Sequence, residues 1–198
     1  SVYDHLNIGL NMEDIPKMLA MILNNEKQYN ASEKSARYTE IDSGHETITE
    51  TETMLYYKWL EIFKLKIEAE YGQVLSTGKI SKLAQENARY MLSVMMPTNM
   101  IYTVPMAQLN KIVAFMGDLS LIKDDNLRKM LEPQVKDFID QLSELNVLDE
   151  RLQSNSKNTS LSLFTDRESG DYFGDVFTTT YEGTYAQLAQ AQRHRTLS

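Results

Sequence analysis

Apolar residues recur every three or four positions through much of the chain, and this spacing places them on one face of an α-helix. The clearest helix is predicted over residues 51–71, with an apolar stripe formed by Tyr56, Trp59, Leu60, Phe63 and Ile67. Gly72 follows where the C-terminus of a helix favours glycine. A second long helix is predicted over residues 124–145, and Pro133 within it predicts either a kink or two consecutive helices.

Shorter segments have the same helical spacing. Asp14 is a good capping residue and Pro16 suits a first turn, so together they predict a helix that begins there and weakens at Asn24. Further helices are predicted over residues 80–95, ended by Pro97, over residues 109–116, ended by Gly117, and over residues 184–195.

Strand signals are fewer. Residues 100–104 are rich in β-branched and aromatic types, which predicts a strand, and apolar and hydroxyl residues alternate over residues 161–164 and 172–181, as in half-buried strands. Residues 151–160 are polar and rich in Ser and Asn, which is typical of a linker or an exposed loop. This order predicts an α+β fold that is helix-rich, with long helices and a small mixed or antiparallel sheet.

The composition is that of an ordinary globular protein: 198 residues, 42% hydrophobic and 24% charged. The net charge of −8 disfavours nucleic acid as a partner. No apolar run approaches the roughly 20 residues that span a bilayer, so we expect no membrane partner and a cytoplasmic location. The absence of cysteine excludes disulfides, cysteine-ligated metal centres and a cysteine nucleophile.

Three consecutive basic residues, Arg193, His194 and Arg195, stand out in this acidic chain. Two guanidinium groups so close together can form bidentate hydrogen bonds with a phosphate or with a polarised ring carbonyl. The same triplet can instead be a solvated basic helix end that complements the helix dipole. Local sequence leaves both interpretations open.

A second candidate site alternates Glu33, Ser35 and Arg37, which would point to one side of an extended segment. An acceptor, a hydroxyl and a guanidinium on one side suit a nucleotide or a sugar phosphate, although an ordinary surface edge strand has the same pattern. His5, His45 and His194 are far apart and have no metal-ligand spacing, so we expect no metal site.

These motifs resemble those of the flavin-dependent thymidylate synthases. The triplet at residues 193–195 is similar to the opening of the family signature, and residues 185–192 are similar to the helix before it. Residues 29–38 resemble the latter half of that signature, including its Glu-x-Ser-x-Arg-Tyr ending, and residues 1–5 resemble the family's Ser-Val-x-Glu-His string. The resemblance implies the family's α+β fold.

The chain also departs from the family pattern. In the first half, Asn25, Glu26 and Lys27 replace the Arg-His-Arg triplet, and Met116 stands where a nucleotide-binding arginine is expected. Pro105 and Ala107 stand where the family usually has Asn and Arg. The resemblance therefore implies a degenerate repeat over residues 1–150, a linker over 151–160 and the start of a second repeat over 161–198, within a longer natural protein.

The resemblance implies a reductive methylation of dUMP to dTMP, with FAD as cofactor and with methylenetetrahydrofolate and NADPH as co-substrates. It places Arg193, His194 and Arg195 at the flavin, with the two arginines in a catalytic role, and it places Glu33, Ser35 and Arg37 at the dUMP. Family sites form between subunits, so a homo-oligomer, either a dimer or a tetramer, is expected.

Two alternatives remain open from the sequence. In the first, the chain is a catalytically inactive relative that binds nucleotide or flavin, or serves as a scaffold. In the second, it is a helical interaction module without a small-molecule site, and the stripe of residues 56–67 is either core or a groove for a partner.

Overall fold

The computed structural model describes residues 5–26, 29–34, 41, 44–154, 163–164 and 182–193. Its strands are β1 (Asn7–Pro16), β2 (Asn30–Glu33) and β3 (Pro97–Pro105). Its α-helices are α1 (Lys17–Asn25), α2 (Glu50–Tyr71), α3 (Thr77–Ala88), α4 (Met106–Met116), α5 (Asp125–Glu144), α6 (Glu150–Ser154) and α7 (Tyr185–Arg193). The predicted helix-rich α+β class is confirmed.

The described strands form one small sheet with the order β1-β3-β2, so β3 is its central strand. The Lys17 amide donates a hydrogen bond to the Met96 carbonyl across 2.8 Å, and the Met106 amide donates to the Leu6 carbonyl across 2.8 Å. The end of β1 therefore pairs with the beginning of β3, which is the antiparallel arrangement.

The chain divides into two compact units. The first consists of Ser1–Asn11, Met18–Ala31 and Ile101–Ser198, and the second of Met12–Lys17 and Ser32–Met100. In the first unit, α1 is an interior helix, and its residues 18–23 are all buried. The same unit buries apolar residues of α4 and α5, among them Leu109, Ile112, Leu131, Val135, Phe138 and Leu142.

In the second unit, the N-terminus of α2 is fixed by a capping box. The Thr49 hydroxyl oxygen accepts from the Glu52 amide, and the Glu52 carboxylate accepts from the Thr49 amide. The predicted stripe is only partly buried, because Tyr56 is buried whereas Trp59 and Phe63 are half-exposed. These two rings lie 5.5 Å apart between centroids.

The predicted helix start at Asp14 is wrong. Asp14 lies within β1 with a backbone φ of 53°, and α1 begins three residues later, at Lys17. β1 itself was not predicted, although its buried residues Leu10 and Met12 alternate with exposed ones. The competing capping signal at Asp14 hid that alternation.

Other predicted boundaries shift as well. The helix predicted over residues 80–95 ends at Ala88 and passes into a 3-10 turn, Arg89–Met91. α5 is one helix with Pro133 inside it, so the alternative of two consecutive helices is wrong. The first four residues of the predicted linker, 151–154, belong to α6.

Several predicted elements fall partly or wholly outside the described residues. These are the rest of the linker, over residues 155–160, and the strands predicted over residues 161–164 and 172–181, of which Leu163 and Phe164 alone are described, as a turn. Among the described helices, none combines the length and the apolar character that crossing a bilayer requires.

Candidate functional site

Glu33, at the end of β2, accepts hydrogen bonds from two other elements of the second unit. The Lys17 ammonium donates to both carboxylate oxygens, at 2.5 Å from Oε1 and 2.6 Å from Oε2. The Thr98 hydroxyl donates to Oε1 across 2.9 Å. The Lys17 and Glu33 side chains are 19% and 15% exposed, so the pair is largely shielded but still reaches solvent.

The order of the strands explains how these three residues meet. Lys17 follows the end of β1, Thr98 lies on the central strand β3, and Glu33 ends β2 on the other side. The Lys17 amide is anchored on the Met96 carbonyl, and the Lys34 amide donates to the Asn99 carbonyl across 2.9 Å. The three side chains therefore form a row across one end of the sheet.

A strained backbone position lies beside this row. Asp14 has a positive φ, and its amide donates to the side-chain oxygen of Asn99 across 2.8 Å. Aspartate adopts this conformation more readily than most residues, and strained positions tend to occur near functional sites. Asn99 thus connects the Asp14 bend to the strand that carries Thr98.

The end of α1, in the first unit, is closed by two tyrosines. The Tyr102 hydroxyl donates to the Leu23 carbonyl across 3.1 Å, and the Tyr29 hydroxyl donates to the Asn24 carbonyl across 2.5 Å. The two rings stack with centroids 5.2 Å apart. Carbonyls that a helix end leaves without intrahelical partners are thereby satisfied within the chain. Glu26, which follows α1, is 1% exposed.

The buried side of α4 contributes to the core of the first unit. Met116, the last residue of α4, is fully buried, and α4 begins directly after Pro105. Asn110, on the buried side of the same helix, donates to the Val147 carbonyl across 3.1 Å and accepts from the Asp149 amide across 2.7 Å. The side of α4 that carries Asn110 and Met116 is thus part of a packed interior.

Comparison with protein families finds a match over residues 1–119, to a family described as thymidylate synthase complementing protein. The matched residues make up more than half of the chain. The chain belongs to this family. No curated protein matches the chain.

Membership in the thymidylate synthase complementing protein family confirms the family resemblance seen in the sequence. It supports a thymidylate synthase activity in general and a role in nucleotide biosynthesis. The matched residues include Glu33, Ser35 and Arg37 and end before Arg193.

The structure describes only part of the predicted site. Glu33 lies at the row just described, whereas Ser35, Arg37, His194 and Arg195 lie outside the described residues. Arg193 is the last residue of α7, within the predicted helix, but its side chain is not among those described. The roles of these residues stay predictions.

For the flavin, the position that corresponds to the triplet in the first half of the chain does not fit. The cofactor carries negative phosphates and a ring that becomes electron-rich on reduction, so its site needs cationic donors. Glu26 brings a buried carboxylate to that position, and the neighbouring carbonyls are already bonded to Tyr102 and Tyr29. The described residues of this segment, Asn25 and Glu26, therefore offer no cationic group to a flavin.

Lys17 and Thr98 are site residues that the sequence did not predict. They lie 16 and 65 positions from Glu33, and neither belongs to a periodic or motif-like string. Among the described residues, no group of three or more His, Asp and Glu side chains is placed to hold a metal ion. His45 interacts instead with Thr47, whose amide donates to Nδ1 across 3.3 Å.

Proposed function

We propose that this chain takes part in the flavin-dependent conversion of dUMP to dTMP. Support comes from its membership in the thymidylate synthase complementing protein family and from the placement of Glu33. Glu33 belongs to the motif that resembles the family's nucleotide-binding segment, and its carboxylate is held in one orientation while its side chain still reaches solvent. The fixed Glu33 carboxylate is the observation that carries the proposal.

Each residue of the two motifs has a proposed role. Glu33 and Ser35 bind the ribose of dUMP, and Arg37 binds its phosphate through a charge-assisted pair. Arg193, His194 and Arg195 hold FAD, with the guanidinium groups stabilising negative charge on the flavin or the uracil ring. When bound, reduced flavin supplies a hydride, while methylenetetrahydrofolate supplies the carbon and NADPH restores the reduced state.

The organisation of the chain is also part of the proposal. We propose that residues 1–150 are a degenerate family repeat, joined by residues 151–160 to the start of a second repeat that carries the triplet. A homo-oligomer would allow the two motifs to be contributed by different copies of the chain. The poor fit of flavin beside Glu26 supports assigning the cofactor to the triplet at residues 193–195.

The cofactor assignment can be tested by incubating the purified chain with FAD, removing free FAD by gel filtration and recording the visible absorption spectrum. We expect a bound-flavin spectrum that Arg193→Ala abolishes and that Arg128→Ala, a matched change at a residue paired with Asp125 on α5, leaves in place. Far-ultraviolet circular dichroism should be the same for all three proteins. Flavin retention by the Arg193 variant at the level of the parent would remove Arg193 from the site.

A second candidate function is binding of nucleotide without turnover. The observation that favours it is the first half of the chain, where a buried methionine and a buried glutamate occupy positions at which the family resemblance expects cationic groups. Such a protein would bind dUMP in calorimetry and would form no dTMP when all co-substrates are present. The enzyme would bind dUMP and would also form dTMP under the same conditions.

A further inference from the structure

The Glu33 carboxylate has one more acceptor position than its contacts with the described residues use. A carboxylate offers about four acceptor positions. Contacts with the described residues use three of them, two on Oε1 from Lys17 and Thr98 and one on Oε2 from Lys17. The carboxylate is thus held in one orientation, and the described residues leave one acceptor position of Oε2 unused.

The charge of Glu33 is balanced before any ligand arrives. An unpaired carboxylate at this position would repel the phosphate of an anionic nucleotide, and the repulsion would be strong because the site is largely shielded from solvent. The Lys17 ammonium, 2.6 Å from Oε2, makes the pair neutral overall. A neutral pair can lie near a nucleotide phosphate without this penalty.

We propose that Lys17 is a positioning residue for nucleotide binding: with Thr98 it holds the Glu33 carboxylate so that Oε2 accepts a hydrogen bond from the 3′-hydroxyl of the nucleotide ribose. An ionised carboxylate only accepts hydrogen bonds, so it pairs with a hydroxyl and not with a phosphate. This inference rests on the proposed binding of dUMP, and it assigns a role to Lys17 and Thr98 under both candidate functions.

The same contacts could serve only to stabilise the sheet. The test therefore needs a measurement that does not change when the protein is merely less stable. The ratio of the affinities for dUMP and for 2′,3′-dideoxyuridine 5′-monophosphate is such a readout, because the second nucleotide lacks the 3′-hydroxyl. If Oε2 is held in position to accept from the 3′-hydroxyl, the protein binds dUMP more tightly than the dideoxynucleotide. A protein that is merely less stable loses affinity for both nucleotides alike.

The experiment is isothermal titration calorimetry of the full chain with each nucleotide at two salt concentrations. Lys17→Met removes the ammonium group, and Lys17→Arg keeps a positive charge that can donate to both carboxylate oxygens. Thr98→Val removes the hydroxyl that donates to Oε1. Lys79→Met is the matched control, because it removes the same charge from an exposed position on α3.

We expect Lys17→Met to weaken dUMP binding by about tenfold and to bring the affinity ratio close to one. Thr98→Val should lower the ratio less, Lys17→Arg should restore most of it, and Lys79→Met should match the parent. Equal ratios in the parent and in Lys17→Met, or tighter dUMP binding by Lys17→Met, would overturn the positioning role. If the parent binds neither nucleotide, the proposed nucleotide binding itself fails, and the role of Lys17 fails with it.

Discussion

At Met116 the side chain expected from the family resemblance would be an arginine, yet the structure buries this residue completely in the first unit. At Glu33 the opposite holds, because a charged residue of the same matched region keeps a fixed carboxylate that reaches solvent. Met116 thus belongs to the core of the chain, whereas Glu33 is exposed enough to contact a ligand. The sequence motif locates Glu33, but burial has to be seen in the structure.

Restoring the arginine at Met116 should therefore damage the fold. We expect Met116→Arg to lower the free energy of unfolding by about 4 kcal/mol, since it places a charge in a packed interior. Met116→Leu, which roughly conserves volume, should cost less than about 1.5 kcal/mol. Urea denaturation followed by circular dichroism measures both. A Met116→Arg variant of parental stability with stronger dUMP binding would show that this position belongs to a nucleotide site.

Glu52 links the capping box of α2 to a neighbouring loop. Its carboxylate accepts from the Ser93 amide across 2.7 Å in addition to its bonds with Thr49. Burial alone would raise the pKa of Glu52, but the hydrogen bonds from Thr49 and Ser93 together outweigh it and hold the pKa below its ordinary value. Folding therefore favours the ionised form of this residue.

The stability that Glu52 contributes should depend on pH. It is fully present above the pKa of the unfolded chain, about 4.3, and it is lost as the pH falls through the lower pKa of the folded state. We expect Glu52→Gln to cost about 1 kcal/mol at pH 7 and much less at pH 3. Thermal denaturation at several pH values measures the difference. Glu61→Gln, an exposed change on the same helix, is the control. A pH-independent cost for Glu52→Gln would show that the ionised carboxylate is not what stabilises the N-terminus of α2.

At the scale of elements, the long helices could be predicted because their signal is local. An apolar residue every three or four positions over twenty residues indicates α2 and α5 without knowledge of their neighbours. β1 was missed because its alternation is short and ends in a capping-like Asp14. The row formed by Lys17, Thr98 and Glu33 could not be predicted, since strand order alone brings these residues together.

The buried side-chain amide of Asn110 joins α4 to the segment that leads into α6. Removing it in Asn110→Ala leaves the Val147 carbonyl and the Asp149 amide without their partner. We expect a loss of about 2 kcal/mol in the free energy of unfolding. Asn87→Ala, at a half-buried residue on α3 whose side-chain amide donates a solvent-exposed hydrogen bond to the Leu83 carbonyl, should change stability far less. Equal costs for the two variants would mean that Asn110 is not the link.

At the scale of the whole molecule, the family match rests on residues 1–119, and the most signature-like triplet lies outside that range. The first part of the chain establishes the family, and it also contains the buried Met116 and Glu26 that depart from the family pattern. The sequence could predict family and fold class because motifs and periodicity survive divergence. Catalytic competence depends on how the two motifs come together, which no local pattern encodes.

The proposed conversion of dUMP to dTMP with a bound flavin can be tested on the purified chain. The most direct test incubates the purified chain with dUMP, FAD, NADPH and methylenetetrahydrofolate and measures dTMP by mass spectrometry. We predict dTMP that requires both FAD and methylenetetrahydrofolate and that disappears in the Arg193→Ala variant. The absence of dTMP from a chain that demonstrably binds both FAD and dUMP would contradict the claim and would identify the protein as a relative that binds without turnover.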